Sequence, residues 1–391
     1  MPSRLSVILI LGSTQTLAWG SSYYLPAIVA DPISRSLDIS STWFFAAFSA
    51  SLLIAALIGP RVGRTIDTYG GREVLAVSNI VIAAGLVVLG LSYTPITLAV
   101  AWLLLGVGMG LGLYDSAFAM LGRIYGMEAR SAITGISLLA GFASTIGWPL
   151  TALGVAELGW RNTCFAWAAV HILIGLPLNL FLLPKPSHAI KEAETTTAGR
   201  IPFDRNMALL AFAFAAGWMV VAAMAAHLPR LLEAAGATTL QAVAAGALIG
   251  PAQVAARIAE ASILRKHHPL VSARLAMIAH PIGAGVLAFF GAGGASEAFA
   301  ALHGAGSGVM TIARGTVPLA IFGPENYGYR LGVLGAPARI AQAAAPLLFG
   351  VLIDQFGSAT LILSSALSIA GLVALCLVSA TALPNRSKDQ N

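Results

Sequence analysis

Twelve apolar stretches of about 20 residues follow one another along this chain, and no other feature limits its fold so tightly. Wound as an α-helix rising ~1.5 Å per residue, such a stretch crosses the ~30 Å hydrocarbon core of a bilayer. The runs are Leu5–Val29, Thr42–Val62, Glu73–Leu91, Ile96–Leu121, Ser131–Ala156, Arg161–Leu183, Asn206–Leu232, Leu240–Leu264, Leu270–Gly291, Ser296–Ile321, Leu331–Ile353 and Ala359–Leu383. None alternates polar and apolar residues at period two, so a membrane β-barrel is excluded. With 58% hydrophobic and 10% charged residues, the chain has too little polar surface to clothe a soluble globule of 391 residues. The expectation is an all-α membrane protein with 12 transmembrane helices. The first run is too long for a signal-peptide core and lacks a small-residue cleavage site, so it is expected to stay as the first span.

Basic residues orient the spans, because cytoplasmic loops are enriched in Lys and Arg. With the N-terminus inside, sixteen of the 22 fall in cytoplasmic segments: Arg4, Arg61, Arg64, Arg72, Arg123, Arg130, Lys185, Lys191, Arg200, Arg205, Arg265, Lys266, Arg274, Arg330, Arg386 and Lys388. Only Arg35, Arg161 and Arg230 fall outside. Both termini are therefore expected in the cytoplasm of a bacterial cell, with the chain in its inner membrane. The net charge of +6 is a topology signal and implies no nucleic-acid partner. Cys164 and Cys376 lie within spans and imply no disulfide.

The chain divides at its longest polar segment, Pro184–Arg205, into two six-span pseudo-repeats, residues 1–183 and 206–391. Ile124–Glu128 (IYGME) recurs as Ile321–Glu325 (IFGPE), and the same offset of 197 joins Gly135 to Gly332 and Pro149 to Pro346. Glycines at 106, 108, 110 and 112 in the fourth span answer those at 304, 306 and 308 in the tenth, as close packing in lipid requires.

Between the second and third runs lies GPRVGRTIDTYGGRE, Gly59–Glu73, a short basic turn. Gly63, Asp67, Gly70 and Arg72 in this spacing resemble the cytoplasmic signature of the Major Facilitator Superfamily, with Thr68 and Gly71 where that family usually has basic residues. The resemblance implies a monomeric secondary transporter that binds a small-molecule solute between two six-helix halves. It also implies that Asp67 meets the start of the eleventh helix and closes the inner side as a gate with Gly63, Gly70 and Arg72. Gly106–Gly135 looks similar to the monocarboxylate and oxalate-formate branches. Trp102 stands where drug–proton antiporters carry arginine, and their fifth-helix motif is reduced to Gly147-Trp148-Pro149.

Charges within the spans are the remaining signal, since each costs ~2.5–3.5 kcal/mol at a helix centre and must be paired or face water. They are Asp115, Arg257, Glu260, Arg314 and Arg339. Asp115, Arg257 and Arg314 sit ~9 Å to the inner side of their helix midpoints and Arg339 ~5 Å, by the helical rise. Three arginines against one carboxylate at that depth suit an organic anion. Arg257 and Glu260, three residues apart, either satisfy each other or serve the cavity. Asp115 either couples a proton or pairs with an arginine across the halves. Gln15, Trp19 and Tyr23 form one stripe of the first helix and Tyr114 precedes Asp115, as either packing or cavity wall. His303 lies about three turns before Arg314 on the same face; it either contacts solute and carries a proton, a role for which Asp115 and Glu260 are the other candidates, or is hydrogen-bonded within the bundle.

His171, His227 and His280 show no metal-ligand spacing, and no nucleotide loop or nucleophile motif is present, so neither cofactor nor enzymatic activity is expected. The sequence reads as a proton-coupled, alternating-access carrier of a small organic anion or carboxylate. The alternative is a multidrug or metabolite efflux antiporter.

Overall fold

The computed structural model describes residues 2–185 and 201–379. Most of the expected linker, with Lys191, Arg200, Arg386 and Lys388, lies outside these residues. Those described form α1 (Arg4–Ala18), α2 (Pro26–Leu37), α3 (Ser41–Tyr69), α4 (Arg72–Gly90), α5 (Pro95–Gly112), α6 (Tyr114–Tyr125), α7 (Ala129–Ala140) and α8 (Ala143–Val170) in the N-terminal half. The C-terminal half holds α9 (Arg205–Ala234), α10 (Thr239–Ser262), α11 (Pro269–Phe290), α12 (Ala295–Phe322), α13 (Tyr327–Phe356) and α14 (Thr360–Leu377). No strand occurs among the described residues.

These helices follow the twelve apolar runs, and the exceptions have local causes. The first span is α1 and α2 joined through a π-helical turn, Trp19–Tyr23, with Pro26 opening α2. The fourth is broken at Leu113, whose extended backbone (φ −81°, ψ −173°) separates α5 from α6. The fifth is interrupted between Ala140 and Ala143, and Gly159 (φ 78°) turns the chain into the sixth. The basic segment expected as a turn is mostly helix: α3 runs through Arg61, Arg64 and Asp67 to Tyr69, and only Gly70 (φ 95°) and Gly71 remain as the turn. Arginine and threonine are tolerated in a helix, whereas the left-handed backbone at Gly70 ends it.

In the N-terminal half α4 and α8 pack together, as do α4 and α5, α3 and α5, and α1 and α7. In the C-terminal half α12 packs on α10 and α11, and α9 on α13 and α14. The repeat persists in conformation: Gly126 and Gly323, one in each recurring pentapeptide, both adopt positive φ at the end of a helix. Each half also holds a buried polar cluster. His171 Nε2 lies 2.7 Å from Ser21 Oγ and its Nδ1 2.9 Å from Asn79 Oδ1; His280 lies 3.0 Å from His303 and 2.9 Å from Ser364 Oγ.

The halves meet chiefly where α3 and α13 run antiparallel. Ser49 Oγ donates to the Ala343 carbonyl at one end, and Gly59 lies against Gly332 and Gly63 against Gly328 further along. A Cβ on Gly63 would stand 2.0 Å from the Gly328 carbonyl oxygen, so the two backbones touch without side chains between them. Gly63→Val should therefore cost ~1–3 kcal/mol through overpacking. It should lower the apparent melting temperature of the purified protein, while Gly246→Ala, with no atom within 4 Å of the new Cβ and a gain in helix propensity, should not lower it.

Candidate functional site: a charged layer between the halves

The break at Leu113 places Asp115 in the first turn of α6, where free backbone N–H groups favour an acid. Its Oδ2 accepts from Arg314 Nη2 at 2.7 Å and from Arg339 Nη2 at 2.6 Å. All three side chains are at most 9% exposed. Arg339 also donates through Nη1 to the Ala55 carbonyl of α3 (3.1 Å), and Arg314 lies 5.6 Å from the centre of the Trp218 ring. Gly335 makes room for the triad, since a Cβ there would lie 2.7 Å from Arg314 and 2.9 Å from Asp115. Asp115 Oδ1 is buried and has no hydrogen-bond partner among the described residues.

Arg257 does not pair with Glu260, although their spacing allows it. Glu260 accepts from Arg130 of α7 at 2.9 Å and from Ser272 Oγ at 3.4 Å. Arg130 also donates to the carbonyls of Leu264 (3.0 Å) and His267 (2.6 Å), so Glu260 belongs to an ion pair joining the halves. Arg257 crosses instead to the N-terminal half, donating to the Ser137 carbonyl near the end of α7 (3.0 Å) and to Gly308 of α12 (3.3 Å). The Ser137 carbonyl lies at the negative end of the α7 dipole, which suits a cation.

An aromatic wall adjoins the charges. Trp19 packs 5.0 Å from Tyr23 and 5.0 Å from Tyr114, which stacks on Phe118 at 5.1 Å. Gln342 of α13 donates to Tyr23 Oη across the halves at 3.4 Å. The π-helical turn carries Trp19 and Tyr23 together into this wall. Gln15 is a strut beside it: its Nε2 donates to the Gly112 carbonyl at 2.6 Å and supports the broken fourth span.

His303 and Arg314 do not meet. His303 turns to His280 of α11, while Arg314 turns across the halves to Asp115. Asp67 accepts the backbone N–H groups of Gly328 and Tyr329 at the start of α13, each at 2.8 Å. Gly63 lies against Gly328 at that contact and Gly70 ends α3 beyond it, whereas Arg72 opens α4 and its Nε finds no partner among the described residues. Arg130, Tyr24, Trp218 and Gln342 join the layer without having been singled out from the sequence. Only Arg130, basic beside an apolar run, carried a sequence signal.

Outside the spans, His268 caps α11 by accepting the Leu270 N–H (3.2 Å). Burial, Arg130 and Arg274 hold its imidazole below its usual range, so it caps as a neutral acceptor. A histidine pKa depressed on folding gives stability that is present above the unfolded value of ~6.5 and lost as pH falls. The melting-temperature advantage of the parent over His268→Gln should thus shrink between pH 8 and pH 5. Removing one member of a buried ion pair costs ~3–5 kcal/mol. Asp115→Asn should lower the melting temperature strongly, and combining it with Arg339→Gln should cost less than the two separate losses summed, as contacting partners do.

The model of the Major Facilitator Superfamily matches residues 10–296. Over 375 residues the chain is 26% identical to an uncharacterized 38 kDa protein in the 23S RNA operon of Thermoproteus tenax, covering 90% of this chain and 94% of that one. It is 34% identical over 142 residues to mouse solute carrier family 2, facilitated glucose transporter member 10, covering 34% of this chain and 25% of that protein. It is 31% identical over 128 residues to mouse monocarboxylate transporter 14, covering 32% of this chain and 24% of that protein. The chain thus spans about a quarter of each mouse relative. In fold it is similar to the human organic anion transporter MFSD10 (TETRAN), with TM-score 0.76, 14% identity and coverage of 96% of this chain and 100% of that one. It is equally similar to the proton:xylose symporter XylE, with TM-score 0.77, 12% identity and 97% of both chains covered. With the family model spanning most of the chain and both solved structures sharing its fold throughout, this protein is an integral membrane transporter of the Major Facilitator Superfamily.

Proposed function

We propose that the protein carries a small organic anion, bearing a carboxylate, across a bacterial cytoplasmic membrane by alternating access driven by the proton gradient. Both termini face the cytoplasm, and the carrier works as a monomer. The observation that carries this reading is the imbalance of the central layer: Arg257, Arg314 and Arg339 are all buried, and among the described residues Asp115 is the only carboxylate hydrogen-bonded to any of them. Positive charge in excess between two apolar halves attracts an anion strongly, because little solvent screens it. Arg257, whose acceptors are backbone carbonyls, is the strongest candidate for direct contact, with Arg314 and Arg339 opposite. Trp19, Tyr23, Tyr24 and Tyr114 enclose the organic part of the solute. Asp67 on α13 and Arg130 on Glu260 lock the cytoplasmic side, and breaking both lets the halves rock. The names of mouse monocarboxylate transporter 14 and the human organic anion transporter MFSD10 point to the same class of solute.

The aromatic wall favours a second reading, a drug or metabolite antiporter, since such rings also hold hydrophobic cations. Ligands that bind only the folded state raise its melting temperature, by ~2.7 kcal/mol of stability at a hundredfold excess over Kd. Acetate, pyruvate, benzoate, xylose and cationic dyes should be compared on the parent, Arg257→Gln and Arg314→Gln. The anion reading requires stabilisation by a carboxylate that falls at least tenfold in affinity in either variant. Stabilisation by cations alone, unchanged in both variants, would establish the second reading instead.

A further inference from the structure

Asp115 is arranged as the carrier's own substitute for its solute. One of its oxygens takes both guanidinium groups, as a bound carboxylate would, while the other is buried and unpartnered. An external carboxylate that engages Arg314 and Arg339 must first displace Asp115. Once displaced, Asp115 is a buried carboxylate without a counter-ion, and the ionised form is then strongly disfavoured.

We propose, building on the anion reading, that the solute carboxylate and Asp115 exchange places on Arg314 and Arg339, and that Asp115 takes up one proton as it lets go. The charge balance supports this step. In the empty carrier two guanidinium groups and one carboxylate sum to one positive charge. With the solute anion bound and a proton on the Asp115 carboxyl the sum is again one positive charge, so the buried layer never gains or loses net charge. No covalent bond changes; a proton from water reaches the carboxyl, and the arginine N–H donors pass from one carboxylate to the other.

Nothing else packed against Asp115 offers an equivalent exchange. From α12 it meets Arg314 and from α13 Arg339. From α9 Trp218 lies against Arg314, and α3 contributes the Ala55 carbonyl. The Tyr327 hydroxyl feels the charge of Asp115 but donates its proton to the Gly315 carbonyl at 2.6 Å. Glu260 is held by Arg130, and His303 faces His280 inside the C-terminal half. Proton uptake is thereby assigned to one group among the three that the sequence offered.

The test is proton counting during anion binding. Purified full-length protein in weakly buffered detergent is mixed with benzoate or pyruvate at pH 6 to 8, with a pH-indicating dye and parallel calorimetry. The expected result is one proton taken up per anion bound, with affinity falling about tenfold per pH unit where Asp115 starts ionised. Asp115→Asn, which imitates the protonated carboxyl, should bind the same anion at least as tightly, without proton uptake and without pH dependence. Anion binding with no proton uptake in the parent overturns the exchange while leaving the anion reading intact. Uptake that persists in Asp115→Asn places the proton elsewhere and also overturns it. Should no carboxylate bind the parent at any pH, the anion reading falls and this proposal with it. Where Asp115→Asn does not fold, the absence of proton uptake in the parent still overturns the exchange, and Asp115→Glu, which keeps the carboxyl, should retain the uptake.

Discussion

A carboxylate clasped by two guanidinium groups, in surroundings that solvate no charge, is the interaction around which the two halves are set. Each member would be costly alone in the bilayer interior, and together they still leave positive charge unanswered. Several departures from regular structure serve this contact. The chain breaks at Leu113 so that a helix begins at Asp115; Gln15 supports the break; Gly335 brings α13 close enough for Arg314 and Asp115 to pass its backbone. Arg339 ties the same layer to α3 through Ala55, so the triad joins four helices, α3 and α6 of one half and α12 and α13 of the other.

The neutral polar clusters have a different character. Ser21, His171 and Asn79 in one half, and His280, His303 and Ser364 in the other, satisfy one another and fasten helices of the same half together. Hydrogen-bonded neutral groups can be buried at modest cost, which makes them suitable as permanent fastenings. The buried ion pairs, by contrast, occur where the halves meet. Their strength depends on the partner from the other half being present.

Two contacts close the side of the bundle that bears Asp67, and they have opposite polarity. On one, an acid from the N-terminal half meets the N–H groups that open α13. On the other, a base from the N-terminal half meets a buried acid and the carbonyls beyond the end of α10. Helix dipoles explain both, since an acid belongs at a helix start and a base at a helix end. His268, held neutral by Arg130 and Arg274, connects the second contact to α11.

The apolar runs by themselves determined that the chain is helical and spans a bilayer, because the length and composition of each run leave no other way to satisfy its backbone in lipid. The spacing of Gly63, Asp67 and Gly70 likewise carried the resemblance to the family, and it was that resemblance which implied the contact of Asp67 with α13. What the sequence left open was the partner of each buried charge. Arg257 and Glu260 stand one turn apart on α10, yet they separate, because Arg130 approaches from the other half and carbonyls of α7 and α12 receive Arg257. His303 and Arg314 share a helix and look to different halves. Sequence spacing fixes which face of a helix a side chain occupies, and only the packing of the two halves decided what stands opposite it, since a buried charge takes the partner that tertiary contact brings within hydrogen-bond distance.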